Sequence, residues 1–130
     1  MAIKVKHIKA KFIDERGSIE LLVDQNNLPI KSVLRITGKA GAIRGNHYHK
    51  KGFHYYFVES GKCQYFQKPT NKPKAIIETV ILMPGDIVLV RPGIINATKF
   101  LEDSVIYHFD TGRREQSQYE SNTVRIKIVG

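Results

Sequence analysis

Apolar and polar residues alternate with a period of two along most of this chain, the pattern of half-buried strands. Such runs, or short apolar runs rich in β-branched residues, fall at 3–13, 18–23, 32–37, 43–49, 53–59, 62–67, 75–82, 86–91, 95–100, 104–110 and 123–129. Turn-forming glycine and proline separate them, as in "ERGS", "TGKAG", "SGK", "PTNKP", "MPGD" and "RPG". No stretch holds an apolar 3.6-residue period over the roughly ten residues a helix needs. The pattern predicts an all-β sandwich or barrel, one domain over 1–130, with no linker or repeat. The polar segment "TGRREQSQYES" at 111–121 reads as an exposed loop around Arg113, Arg114 and Glu115.

Composition narrows the class without choosing a function. A chain of 130 residues with 42% hydrophobic content has enough apolar surface for one core. No apolar run approaches the roughly 20 residues that span a bilayer, so a membrane is not an expected partner. The start "MAIKVKHIKAKF" lacks the apolar centre of a signal peptide. The single cysteine, Cys63, excludes an internal disulfide, reads as a packed strand residue and fits a cytoplasmic location. The net charge of +9 comes from lysines scattered singly, with one looser cluster in "KPTNKPK" at 68–74. With no nucleic-acid module, that charge indicates solvated faces and attraction of an anionic small molecule rather than of nucleic acid.

Chemistry concentrates in "GAIRGNHYHK" at 41–50. Residues two apart on a strand share a face, which groups Ile43, Gly45, His47 and His49 and puts Arg44, Asn46 and Tyr48 opposite. In "FHYYFVE", His54, Tyr56 and Val58 share one face, and Phe53, Tyr55 and Phe57 take the other. Ile106, His108 and Asp110 likewise share a face, so an inward orientation would put His108 near a pocket with Asp110 to orient an imidazole. Otherwise His108, like His7, reads as structural.

The spacing Gly41, His47, His49, His54, Gly61 resembles the first cupin motif, with His54 standing where that motif has glutamate. "GDIVLVRPGIINATKF" at 85–100 resembles the frame of the second. Gly85 and Gly93 match it, while Arg91 replaces a proline, Asn96 a histidine and Phe100 an asparagine. The resemblance implies a jelly-roll β-barrel with a pocket at its mouth. "DERGSIE" at 14–20 and "RGNHYHK" at 44–50 are similar to strings of the dTDP-4-dehydrorhamnose 3,5-epimerase-like and dTDP-sugar 3,4-ketoisomerase-like cupins. That likeness implies a nucleotide-sugar substrate, His47 as base, and Arg44 as a contact to the substrate's anion. The glutamine of the epimerase string is His49 here, which favours the ketoisomerase pattern.

Three readings follow. In the first, an isomerase uses His47 as base, His49 as partner or orienter and Tyr56 as the acid candidate by strand parity, with Tyr107 behind it. Arg44, Arg16 and Asn96 would contact substrate, Asp14 and Arg16 reading equally as a turn-stabilising pair, and no cofactor is required. In the second, His47, His49 and His54 hold a divalent transition metal such as Zn, Fe or Ni, opening dioxygenase-like or hydrolytic chemistry. In the third, the barrel binds a sugar without catalysis. A homodimer is expected, since a long N-terminal β run can pair with or swap into a second copy.

Overall fold

The computed structural model describes residues 3–25, 29–113 and 115–130. Its strands are β1 (Lys4–His7), β2 (Phe12–Asp14), β3 (Gly17–Ile19), β4 (Ser32–Gly38), β5 (Ile43–His49) and β6 (His54–Ser60). They continue with β7 (Cys63–Pro69), β8 (Glu78–Leu82), β9 (Asp86–Val90), β10 (Ile94–Phe100), β11 (Ser104–Asp110) and β12 (Thr123–Arg125). One sheet has the order β1-β9-β6-β11-β4 and the other β12-β5-β10-β7-β8, with every pairing antiparallel. The strands β2 and β3 form a small hairpin of their own. The all-β expectation holds.

Period-2 patterning places the core between the sheets. β7 and β11 both alternate strictly between buried and half-buried positions. Their inward residues join Val58, Val88 and Val90 of one sheet to Tyr65, Leu82, Ile94 and Phe100 of the other. Each such side chain removed from water contributes roughly 1.5–3 kcal/mol. Tyr65 is fully buried and its hydroxyl donates to Gln67 Oε1 at 3.0 Å. Cys63 packs in the same cluster, and burial pushes its thiol pKa up, which disfavours the reactive thiolate. On the outer face of the first sheet, Ile8, Phe57 and Ile87 pack under Leu22 and Val23, with Tyr55 and Tyr107 beside them.

Three expectations need correction. The segment read as an exposed loop contains a short helix, α1 (Gln116–Asn122), although Arg114 itself lies outside the described residues. With none of its residues buried, α1 had no apolar period to reveal it. The run 123–129 is strand only to Arg125. Beyond it the backbone is held by Asn46, as described below. No helix among the described residues is long and apolar enough to cross a membrane.

The third correction concerns face alternation in β5. Asn96 lies opposite His47 and the adjacent Ala97 lies opposite Gly45, so Asn46 is an extra residue in β5. Gly45 has φ +93° and Asn46 φ +56°, the left-handed pair a bulge of this kind uses. A Cβ on Gly45 would come within 2.8 Å of the Asn96 carbonyl oxygen. Gly45→Ala therefore combines a disfavoured φ with a backbone clash, and should cost roughly 2–3 kcal/mol in urea unfolding. An unchanged unfolding midpoint would show that the bulge tolerates a side chain.

Candidate active site

The bulge decides what faces the barrel interior. Without it Arg44 and His47 would point to opposite faces; with one residue added they share one. Arg44, Gly45, His47 and His49 form one wall of a cavity of about 220 Å³. Tyr56, Ile106 and His108 face them from β6 and β11, and Asn96, Thr98 and Phe100 come from β10. The parity expected for His54, Tyr56 and Val58 holds, since His54 and Val58 are buried and Tyr56 reaches the cavity. Tyr107 points the other way, into the outer cluster.

Leu34 and Ile36 of β4 add an apolar side, and the last wall is Tyr119, delivered by α1. Its ring centroid lies 5.7 Å from that of His49 and 6.5 Å from that of His47. Several bonds hold this C-terminal segment to β5. Strand β12 pairs with it, Thr123 opposite His49 and Arg125 opposite His47. Asn46 then clamps the tail: its Oδ1 accepts from the Ile128 and Val129 amides at 2.9 and 3.1 Å, and its Nδ2 donates to Val129 O at 3.0 Å. The Ile126 amide adds a bond to Asn46 O at 2.9 Å. Sequence reasoning missed Tyr119, Thr123 and this role of Asn46; a glycine–asparagine pair inside a strand was the one available signal.

Behind the cavity wall lies a buried polar group. His54 is 2% exposed, and its Nδ1 is 2.8 Å from His108 Nε2 and 3.4 Å from Asp110 Oδ2. A lone pair on Nδ1 would face the carboxylate, so the proton belongs on Nδ1, donated to His108 and leaning toward Asp110. His54 Nε2, which has no hydrogen-bond partner, is then a bare acceptor, cheaper to bury than an unpaired N–H. Asp110 is itself anchored by the Gly112 amide at 2.7 Å. His108, read from the sequence as structural unless its face turned inward, is on the cavity wall.

The donor atoms do not group as the metal expectation had them. The His49 and His54 rings stack at 4.1 Å with an interplanar angle of 26°, so they do not aim their nitrogens edge-on at one point. Among the described residues, the His/Cys/Asp/Glu donors lying within 4.8 Å of one another are those of His54, His108 and Asp110, not of His47, His49 and His54. Those three groups are at hydrogen-bonding separations rather than spread around a common centre. Asn96, expected as a substrate contact, lines the cavity with Nδ2 at 3.4 Å from both His47 O and Ile94 O. Arg16 is not among the cavity residues: it pairs with Asp14 at 2.6 Å on the exposed β2–β3 hairpin and holds that carboxyl below its usual pKa. His7 is likewise remote, paired with Asp86 at 2.9 Å.

Solved structures share this architecture. A 3,4-ketoisomerase from Helicobacter canadensis matches with a TM-score of 0.78, at 19% identity over 96% of this chain and 91% of that one. A sugar 3,4-ketoisomerase from Thermoanaerobacterium thermosaccharolyticum, solved in complex with TDP, matches at 0.75 and 19% identity, covering 95% and 87%. The fold is the one these isomerases share. A dTDP-4-dehydrorhamnose 3,5-epimerase from Sulfolobus tokodaii has it too, with a TM-score of 0.73 at 17% identity over 98% and 84%. No protein-family model matches the sequence, and no curated protein sequence does. The resemblance read from "RGNHYH" thus agrees with the fold.

Burial, and secondarily the His47 charge, lowers the His54 pKa from 6.5 to about 4. The unfolded chain therefore binds the proton more readily, and stability falls as pH drops from 6.5 to about 4, then levels off. The full loss is about 3 kcal/mol from this residue. Histidine NMR should show one ring titrating near pH 4, and His54→Asn should flatten the acid limb of the stability curve. A His54 that titrates near 6.5 would contradict the dry environment described.

Proposed function

We propose that this protein is a sugar-nucleotide isomerase, acting on a dTDP-linked keto-deoxyhexose or a close analogue by histidine acid/base proton transfer. The observation that carries the reading is the pair His47 and His49 with Arg44 on one wall of a small cavity. At about 220 Å³ the cavity is below the roughly 300–1,000 Å³ of pockets for drug-sized ligands. It suits one sugar ring, leaving the nucleotide outside. Arg44, exposed at the rim with its guanidinium on Thr37 O at 3.0 Å, is placed to meet a diphosphate, which a guanidinium binds bidentately. The TDP bound to the Thermoanaerobacterium enzyme of this fold supports that class of ligand.

The chemistry is balanced by two pairs of proton transfers. A histidine takes the proton from the carbon beside the ketone; the C–H pair becomes the C=C bond and the carbonyl pair moves onto oxygen. A second group protonates that oxygen, giving an enediol. For a ketoisomerase, the neighbouring hydroxyl then loses its proton while the former carbonyl carbon gains one. Imidazole, with an ordinary pKa near 6.5, is suited to both directions. Tyr56, His108 and Tyr119 are the oxygen-side donors the wall offers. No cofactor enters this scheme.

Incubation with dTDP-4-keto-6-deoxyglucose in D2O tests the proposal. The wild type should incorporate solvent deuterium into the sugar, and His47→Asn and His49→Asn should each lower the rate roughly 10²- to 10⁴-fold. No exchange by the wild type across several nucleotide sugars would remove the reading.

We further propose a homodimer, joined through the β2–β3 hairpin. Two strands alone are marginal in water, yet Phe12 is 51% exposed, Ile13 72% and Ile19 62%. A second copy burying that apolar surface would support the hairpin. Light scattering on the wild type should give twice the 14.8 kDa chain mass, and a Phe12→Ser/Ile13→Ser variant should be monomeric. A monomeric wild type would reject this assembly.

A further inference from the structure

We infer that Thr123 is a positioning residue that decides which nitrogen of His49 carries a proton, making His49 Nε2 the lone pair that takes the carbon-bound proton. The chemistry rests on the isomerase reading above; the assignment of the proton rests on hydrogen-bond direction alone.

Thr123 is the residue at which α1 ends and β12 begins, and strand pairing sets it opposite His49. Its Oγ1 lies 2.6 Å from Tyr119 O. A carbonyl oxygen only accepts, so the single hydroxyl proton is committed to that bond. The same Oγ1 is 3.2 Å from His49 Nδ1. With its proton engaged elsewhere, the oxygen can only accept from the ring, and His49 Nδ1 must be the N–H donor. A neutral imidazole has one N–H, which leaves Nε2 as the bare nitrogen of a ring that lines the cavity.

This arrangement suits a base more than an acid. When Nε2 takes the substrate proton, the new positive charge spreads to Nδ1–H, which points at Thr123 Oγ1. Behind that oxygen lies the Tyr119 carbonyl in the final turn of α1, so two aligned dipoles present their negative ends to the imidazolium. The carbonyl of the residue whose ring closes the cavity thus also fixes, through Thr123, the tautomer of the base. After exchange with solvent on Nε2, a proton passes from it to the former carbonyl carbon, so His49 ends as it began. His47, whose ring centroid is 4.7 Å from that of His49, has the partner role in this assignment.

The test separates tautomer from turnover. Two-bond ¹H–¹⁵N correlation spectra of labelled protein report which nitrogen of each histidine is protonated. Wild type and Thr123→Ser, which keeps the hydroxyl, should show His49 protonated on Nδ1. Thr123→Val, nearly isosteric and well suited to a strand position, should show the Nε2–H form or a mixture. Deuterium uptake into dTDP-4-keto-6-deoxyglucose should fall 10- to 100-fold in kcat for Thr123→Val with KM within about twofold, and Thr123→Ser should recover it. A wild-type His49 protonated on Nε2 overturns the inference whatever the activity, as does a Thr123→Val protein with unchanged tautomer and rate. If the wild type turns over no nucleotide sugar, the isomerase reading fails, and the spectra alone decide whether Thr123 sets the tautomer.

Discussion

The candidate site depends on one backbone contact, the approach of Gly45 to the carbonyl of Asn96, with no room for a side chain between them. That contact allows β5 to carry one residue more than β10 across the bulge. The extra residue puts Arg44 on the same wall as His47 and His49 and turns the Asn46 side chain toward the C-terminal tail. A guanidinium, two imidazoles and the anchor of the segment bearing Tyr119 and Thr123 therefore share one local irregularity. Bulges recur beside active sites for this reason: they re-aim side chains without disturbing the rest of the sheet.

The barrel meets a second demand by pairing polar groups in its interior, with His54 Nε2 left as an unprotonated acceptor. His54, His108 and Asp110 are all buried, and burying such groups is costly unless they satisfy one another. The proton on His54 Nδ1 serves His108 and leans on Asp110, while Gly112 anchors the carboxylate. Tyr56 stacks on His108 at 4.6 Å, and His54 on His49 at 4.1 Å. The cavity wall thus has a rigid polar backing, with a neutral His54 supporting the ring of His49.

Sequence patterning located the strands and most inward faces because alternation reports burial directly. It worked for β6, where His54, Tyr56 and Val58 turn inward, and for β11, where Ile106, His108 and Asp110 do. It failed in β5, where the bulge breaks the count between Arg44 and His47. The loop reading failed over 116–122 because a seven-residue helix with no buried residue carries no apolar period. Motif spacing suggested His47, His49 and His54 as a metal set, yet spacing says nothing of ring orientation. The rings stack instead of converging.

By itself the sequence determined the all-β class, the shared faces of His47 with His49 and of His54 with Tyr56, and a likeness to nucleotide-sugar cupins, since these follow from local alternation and short strings. Tertiary structure alone decided that Arg44 joins the histidines, that Arg16 does not, that Tyr119 closes the site and that Thr123 stands behind His49. Each depends on contacts between residues distant along the chain: Gly45 with Asn96, Asn46 with Val129, and His49 with Thr123. Such pairings leave no period in the sequence, because they are settled by how two sheets and a terminal segment pack together.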